Sequence, residues 1–573
     1  MSGPYAKQDF LRQSREMMMR LSVLPLIFAF PFTLGNSAAQ AQTRFRTQDA
    51  TRYQLSVKVR AADKQLDVTG TMQVAAAGEQ RDFVEFSLTE FMREVRVEVV
   101  SPRANRGPAR VENARTEGGF FTTDGTENRD IVYRVLPGKP FPAGEAIELR
   151  FSYSGDGKTR FIYHVGPEVS FATAYGTTWY PQLSQPSRGI GSLEISVPAG
   201  EQAIASGERT STVREEAQGI FRFQVQHATL LSFAAGKFTV FRREGPVPVS
   251  VYLLRSRPGM TEYLEAVEKL LKVLAEEFGP YRFKEFALVE VPRELAKKSG
   301  FNAATPPGFA YINSNAFNVS APRFNVLVGW YGHEYSHEWW PHVVSLKRPG
   351  GRFIEEMLAE YGGLRAVETI VGPAAAERYR RIGYEPDPIY SALEYFKLVG
   401  KGIDGPIGDL PADEKFRNIA YNKGFLVWDM LSREIGRRKF QRVLRGITRR
   451  YAFRQLTLKE FWRAIEAGAG RDLGWFYEQW FERTGAPEFQ LTWKQEGNKI
   501  RGTITQTAPN YRATLQIEIK GENGKRLLRD VKVAGARTTF VVPVAFRAGS
   551  VTLDPHYHVL RWTPEYRSAA GMR

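Results

Sequence analysis

Between Tyr53 and Arg60 apolar and polar side chains alternate, with Tyr53, Leu55, Val57 and Val59 separated by Gln54, Ser56 and Lys58. A period of two sends successive side chains to opposite faces and predicts a half-buried β-strand. Glycine-rich turns recur from there to Arg243, so residues 44–243 are expected to form an N-terminal, β-sandwich-like domain. Past Pro246 and Pro248 the period changes. Leu264, Val267, Leu270, Leu271, Leu274 and Phe278 recur at intervals of three and four, a helical stripe that stops at Gly279-Pro280. Thr457 and Glu460 have the spacing of a capping box, and a last helix within DLGWFYEQWFERTG ends near Gly485. Residues 244–485 are therefore expected as a mixed, mainly helical domain. Beyond Pro487, Leu515, Ile517 and Ile519 alternate again before Asn523-Gly524, a hairpin turn, and no helical pattern follows. Residues 486–573 are expected as a small C-terminal β-sandwich. The predicted fold class is multidomain α+β.

The first residues read as an address. Lys7, Arg12, Arg15 and Arg20 precede an uncharged run from Leu21 to Leu34 that ends near SAAQAQ. That order predicts a secretory signal over residues 1–41, cut near Ala41, and an exported chain, periplasmic or secreted. The run is shorter than the ~20 residues that span a bilayer, and Pro25 and Pro31 interrupt it, so no stable transmembrane span is expected after cleavage. An uncleaved anchor is the alternative.

At 573 residues, 43% hydrophobic and 25% charged, the chain is too long for one core and has the balance of a folded, soluble protein. It contains no cysteine, which excludes disulfides, thiolate metal sites and a cysteine nucleophile. Any metal has to be held by His, Asp and Glu. The net charge is +17, with 14 basic against 7 acidic residues after position 485 and an arginine-rich stretch from Arg433 to Arg450. Solvated surface is the default reading, and contact with an anionic envelope surface the sharper one. Nothing resembles a nucleic-acid module, so nucleic acid is not an expected partner.

The candidate chemistry lies in a histidine cluster. Three of the seven histidines, His333, His337 and His342, fall within ten residues, and His333-Glu334-Tyr335-Ser336-His337 is an H-E-x-x-H array. On a helix, positions i and i+4 share a face, so both imidazoles can reach one ion while Glu334 leans over its open side as a general base. His342 lies about 140° around the helix from His337 and is read as structural. His164, His227, His556 and His558 are isolated and are read as solvated or packed. A catalytic zinc takes three protein ligands, so a third donor has to come from elsewhere. Glu356, with 18 residues between it and His337, is the favoured donor; Glu355 and Glu360 compete. Trp339 and Trp340 are read as core. Trp179-Tyr180-Pro181-Gln182 is read as packing against the catalytic domain, with lining the cleft as the alternative.

These motifs resemble the zinc aminopeptidases typified by aminopeptidase N, within the gluzincins. GHEYSHEWW is similar to that family's histidine helix, the 18-residue gap to Glu356 is its spacing, and FIEEMLAEY resembles its W-L-N-E-G-F-A-x-Y segment. Tyr421-Asn422-Lys423-Gly424 resembles its Y-E-K-G, whose tyrosine hydroxyl faces the oxyanion. The resemblance implies a thermolysin-like catalytic domain, one zinc ion on His333, His337 and Glu356, peptide substrates, and catalytic roles for Glu334 and Tyr421. One departure stands out. The family's G-x-M-E-N strand grips the substrate's α-amine through a glutamate, whereas no Asp or Glu occurs between Glu294 and Glu334 here, and GFNAATPPGFAYINS is neutral. The family's first-domain partner for the amine is not evident around FATAYGTTWYPQ. Glu290, Glu294 and Glu394 are the candidates to replace them; otherwise the substrate's end is read differently. The expected function is an exported zinc metallopeptidase, aminopeptidase-like with altered N-terminus recognition. A non-catalytic peptide-binding protein on the same scaffold is the alternative.

Overall fold

The computed structural model describes residues 50–118, 129–174, 176–183, 188–318, 321–347, 351–383, 390–410 and 414–572. The expected signal segment, residues 1–41, lies outside them. The described chain divides into two compact units, residues 50–268 with 281–321 and residues 269–280 with 322–572. The architecture is multidomain α+β, sheet-rich toward the N-terminus and helical around the histidine motif.

In the sheet-rich unit, an eight-stranded sheet is built around Ala50–Arg60, which pairs antiparallel with Gln65–Val74 and parallel with Gly189–Pro198. Tyr53, Leu55, Val57 and Val59 are buried and Gln54 and Lys58 exposed, as the alternation requires. A five-stranded sheet follows, with Val249–Leu253, Phe286–Val291 and Phe309–Asn313 parallel at its centre and every residue of these three strands buried. Covering both faces of a parallel sheet explains why these strands are continuously apolar rather than alternating. The neutral stretch read from the sequence supplies Phe309–Asn313. Its Tyr311 hydroxyl donates to the Phe233 carbonyl at 2.7 Å, with the Ala172 carbonyl at 3.1 Å, so this residue is tied into the core. Trp179 and Tyr180 are also core residues of this unit, the indole donating to Leu231 and the phenol ring edge-on to Tyr53. Both side chains lie in the core cluster of this unit.

The helix Met260–Phe278 buries all six residues of its predicted stripe and ends at Gly279, whose φ of +110° suits glycine. The helical unit then contains the histidine helix Ala321–Ser336 and the glutamate helix Gly351–Ile370. Pro373–Ile382, Ala392–Gly400, Glu414–Ile419, Phe425–Ile435, Arg437–Arg450 and Leu458–Ala469 follow. The capping box at Thr457 and Glu460 is formed in both directions. Two three-stranded antiparallel sheets close the chain, drawn from strands between Gln490 and Leu553. A short helix, Pro564–Ala569, follows them, where the sequence showed no helical pattern. Six residues are under two turns, too few for a periodic stripe. Its signals are local instead: the Thr563 cap and a proline in the first turn.

Candidate active site

The site forms where two helices meet through glycines. A Cβ at Gly332 on the histidine helix would stand 2.8 Å from Ala366 Cβ and 3.0 Å from Gly363 Cα. One at Gly363 would stand 2.6 Å from Gly329 O, and one at Gly362 2.0 Å from Ser336 Oγ. Only bare backbones can approach this closely, and the approach brings His333 opposite Glu356. A fourth glycine does the same for Tyr421. The segment Ala420–Gly424 is a π-helical turn, and a Cβ at Gly424 would strike Met357, the residue after Glu356. A π-turn often marks a functional position in a helix.

The helix that carries the histidines ends at Ser336, one residue before His337. His337 continues it by one tight turn, its amide donating to Glu334 O at 3.2 Å, while Ser336 Oγ donates to Gly332 O at 2.6 Å. The two imidazoles still converge. His333 Nε2 lies 3.5 Å and His337 Nε2 3.6 Å from Glu356 Oε2, and donor atoms of the three residues all fall within 4.8 Å of one another. The opposite nitrogens are engaged as well: His333 Nδ1 lies 2.8 Å from Glu360 Oε2, and His337 Nδ1 donates to Trp340 O at 2.9 Å. Fixing Nδ1 leaves each Nε2 to face the shared point.

This donor set fits zinc. Bonds of about 2.05 Å in tetrahedral coordination put donors about 3.3 Å apart, close to the spacing found, and two imidazoles with one carboxylate leave a fourth position open. The rival carboxylates have other tasks. Glu355 accepts from the Leu346 amide at 2.6 Å, and Glu360 sits behind His333 while accepting from Tyr379. Glu334, Glu356 and Glu360 are all buried. Burial pulls the His333 pKa down, but contacts with Glu356 and Glu360 outweigh it and hold the imidazole well above its usual range. Tyr421 donates to Glu356 Oε2 at 2.6 Å, and burial, with the Glu356 charge, keeps its phenol protonated.

Trp339, Trp340 and His342 are buried, the two tryptophans packing on Phe278. His164 is paired with Thr159 Oγ1, and burial lowers its pKa to about 4. Of the acids proposed to replace the amine-gripping glutamate, Glu290 accepts from the Leu254 amide at 2.8 Å and from Arg257, Glu394 pairs with Lys397 at 2.7 Å, and Glu294 is exposed. Glu290 and Glu394 are thus engaged locally. Sequence reasoning missed Tyr379 behind Glu360 and Tyr390, whose ring stacks on Tyr421.

Residues 263–480 match the peptidase family M1 domain. "Probable aminopeptidase 1" of Sulfurisphaera tokodaii is 22% identical over 444 residues, 73% of this chain and 54% of that one. "Aminopeptidase N" of Streptomyces lividans is 21% identical over 529 residues, 86% of this chain and 57% of that one. The chain spans about half the length of the curated relatives it matches. An M1 zinc metallopeptidase mutant from Deinococcus radiodurans, solved by crystallography, shares the fold with a TM-score of 0.56 at 17% identity, covering 77% of this chain and 96% of that one. Residues 263–480 are thus similar to the peptidase family M1 domain, in line with the motifs' resemblance to the zinc aminopeptidases.

Proposed function

We propose that the chain is an exported zinc metallopeptidase that hydrolyses peptide bonds, aminopeptidase-like but with altered recognition of the substrate's N-terminus. The convergence of His333 Nε2, His337 Nε2 and Glu356 Oε2 carries this reading. A zinc ion held by these three residues supplies Lewis-acid polarisation of a carbonyl and acidifies water at neutral pH. The remaining work falls to the chain's own groups. Glu334, next to His333 and buried, takes a proton from the attacking water and returns it to the leaving amine. Tyr421 enters with its proton on oxygen, and by rotating only its O–H bond from Glu356 to the substrate it donates to the oxyanion as it forms.

Altered end recognition rests on the neutral stretch before the histidine helix and on the local engagement of Glu290 and Glu394. An ammonium group without a carboxylate partner has no strong anchor. Three regions carry the work: residues 44–243 as a β-sandwich-like domain, 244–485 as the thermolysin-like catalytic domain and 486–573 as a small β-sandwich. Among the described residues no helix is long and apolar enough to cross a membrane. Export itself rests on the N-terminal pattern. Metal analysis with a fluorogenic peptide assay tests the reading. About one zinc per chain and chelator-sensitive cleavage are expected; a metal-free, inert protein would overturn it. Comparable rates on free and N-acetylated forms of one peptide would support the altered end recognition, and a strong preference for the free amine would refute it.

A further inference from the structure

Tyr390 lies outside every motif read from the sequence, yet its ring sits 4.7 Å from that of Tyr421 with only 17° between the planes. Tyr421 in turn lies 5.7 Å from the His333 ring and donates to Glu356. The Tyr390 hydroxyl makes no hydrogen bond among the described residues, so the contact is carried by the ring face.

Its backbone is held by Asn422, the residue after Tyr421 in the π-helical turn. Ser391, the next residue, donates its amide to Asn422 Oδ1 at 2.8 Å, and the Ser391 hydroxyl caps the helix Ala392–Gly400 by accepting from the Glu394 amide. Asn422 Nδ2 donates to Asn418 O at 2.8 Å. Asn422 and Ser391 are both buried. One side chain thus accepts from one segment and donates to the other, which an amide can do and a carboxylate cannot. Asn422 stands where the resembled Y-E-K-G motif has glutamate, so the departure from that motif has a structural use here.

We infer that Tyr390, fixed in place by Asn422, is a positioning residue for Tyr421: it sets the plane of the Tyr421 ring and hence the direction of the hydroxyl. An aromatic pair in this geometry is favourable beyond the area it buries. A phenol on a long side chain swings its oxygen through large arcs for small rotations, and a displacement of about 1 Å at a catalytic group can cost on the order of 10²-fold in rate. The inference rests on the metallopeptidase reading for its kinetic consequence, but not for the contact.

The test uses the full chain with Tyr390→Ala, Tyr390→Leu and Tyr390→Phe, each alone and combined with Tyr421→Phe. Tyr421→Phe is expected to lose roughly 10²- to 10³-fold in kcat, as removal of an oxyanion donor does. Tyr390→Ala and Tyr390→Leu should each lose about 10- to 10²-fold in kcat, with KM within about threefold and zinc content unchanged. Tyr390→Phe, which keeps the ring, should restore kcat to within about threefold of the parent. In the Tyr421→Phe background, Tyr390→Leu should cost less than about twofold, because the group it positions has gone. Full losses in that background, a change confined to KM, or a Tyr390→Phe as slow as Tyr390→Leu would each overturn the inference. If the parent neither binds zinc nor cleaves peptide, the metallopeptidase reading fails separately. The clamp is then judged from nitration of Tyr421 by tetranitromethane, mapped by mass spectrometry. Faster nitration of Tyr421 in Tyr390→Leu than in the parent supports it, and equal rates refute it.

Discussion

Two buried acidic clusters in the helical unit differ in the cations that answer them. Asp429 is ringed by guanidinium groups, with Arg380 at 2.9 Å, Arg433 at 3.3 Å and Arg437 at 2.8 Å. Burial pushes its carboxyl up, but Arg437, Arg380 and Arg433 outweigh that and hold it well below the usual range. Glu356 is met by two imidazoles and a phenol, with Glu334 and Glu360 adding negative charge around His333. Arginine keeps its proton at any ordinary pH, so the first cluster is closed within the chain. Imidazole can lose its proton and offer a lone pair, so the second is balanced by whatever arrives, a proton or a metal ion. Similar burial with different partners separates a brace from a binding site.

The sharpest break in this comparison is at Glu334. Glu334→Gln should lose on the order of 10⁴-fold in peptide turnover while zinc content, read by metal analysis, stays near that of the parent. Asp429→Asn should do the reverse, costing about 3 to 5 kcal/mol in denaturant unfolding by leaving buried arginines uncompensated, with zinc per folded chain unchanged. Glu360→Gln should weaken zinc binding by about 10- to 100-fold in chelator competition, since it removes the charge behind His333, and shift stability little.

The smallest effects are in pH, and they have opposite signs. Asp429 has a depressed folded pKa, so its contribution is present above the unfolded value near 3.8 and is lost as pH falls through the folded one. His333 in metal-free protein has a raised folded pKa, so its contribution is complete below about 6.5 and is lost as pH rises through the folded one. Unfolding of chelator-treated protein, compared with Asp429→Asn and His333→Gln across pH 3 to 9, should show Asp429→Asn flattening the acid limb and His333→Gln the alkaline one. Identical slopes in all three proteins would erase the distinction.

Much of this was legible in the sequence because it is local. The alternation from Tyr53 to Val59, the stripe from Leu264 to Phe278 and the capping box each signal within a few residues. The H-E-x-x-H array and the gap to Glu356 are also short-range patterns. What escaped depends on contacts between distant segments. Glu360 lies one turn beyond Glu356, and only the packing of two helices tells a ligand from the carboxylate behind its neighbour. Tyr390 and Tyr379 approach the site through segments with no motif of their own. The ending of the histidine helix at Ser336 and the π-turn at Tyr421 are departures from regular geometry that no periodicity records.

The glycine seam has a consequence for which ion the site accepts. Where Gly332 meets Gly363 nothing but hydrogen projects from either helix, so the span between the imidazoles and the Glu356 carboxylate is gauged by peptide radii rather than by adjustable rotamers. A seam of that kind acts as a fixed caliper. A single methyl, as in Gly332→Ala, inserts a shim between its jaws and is expected to weaken zinc binding relative to that of a larger cation such as cadmium in chelator competition; an unchanged ratio would refute this.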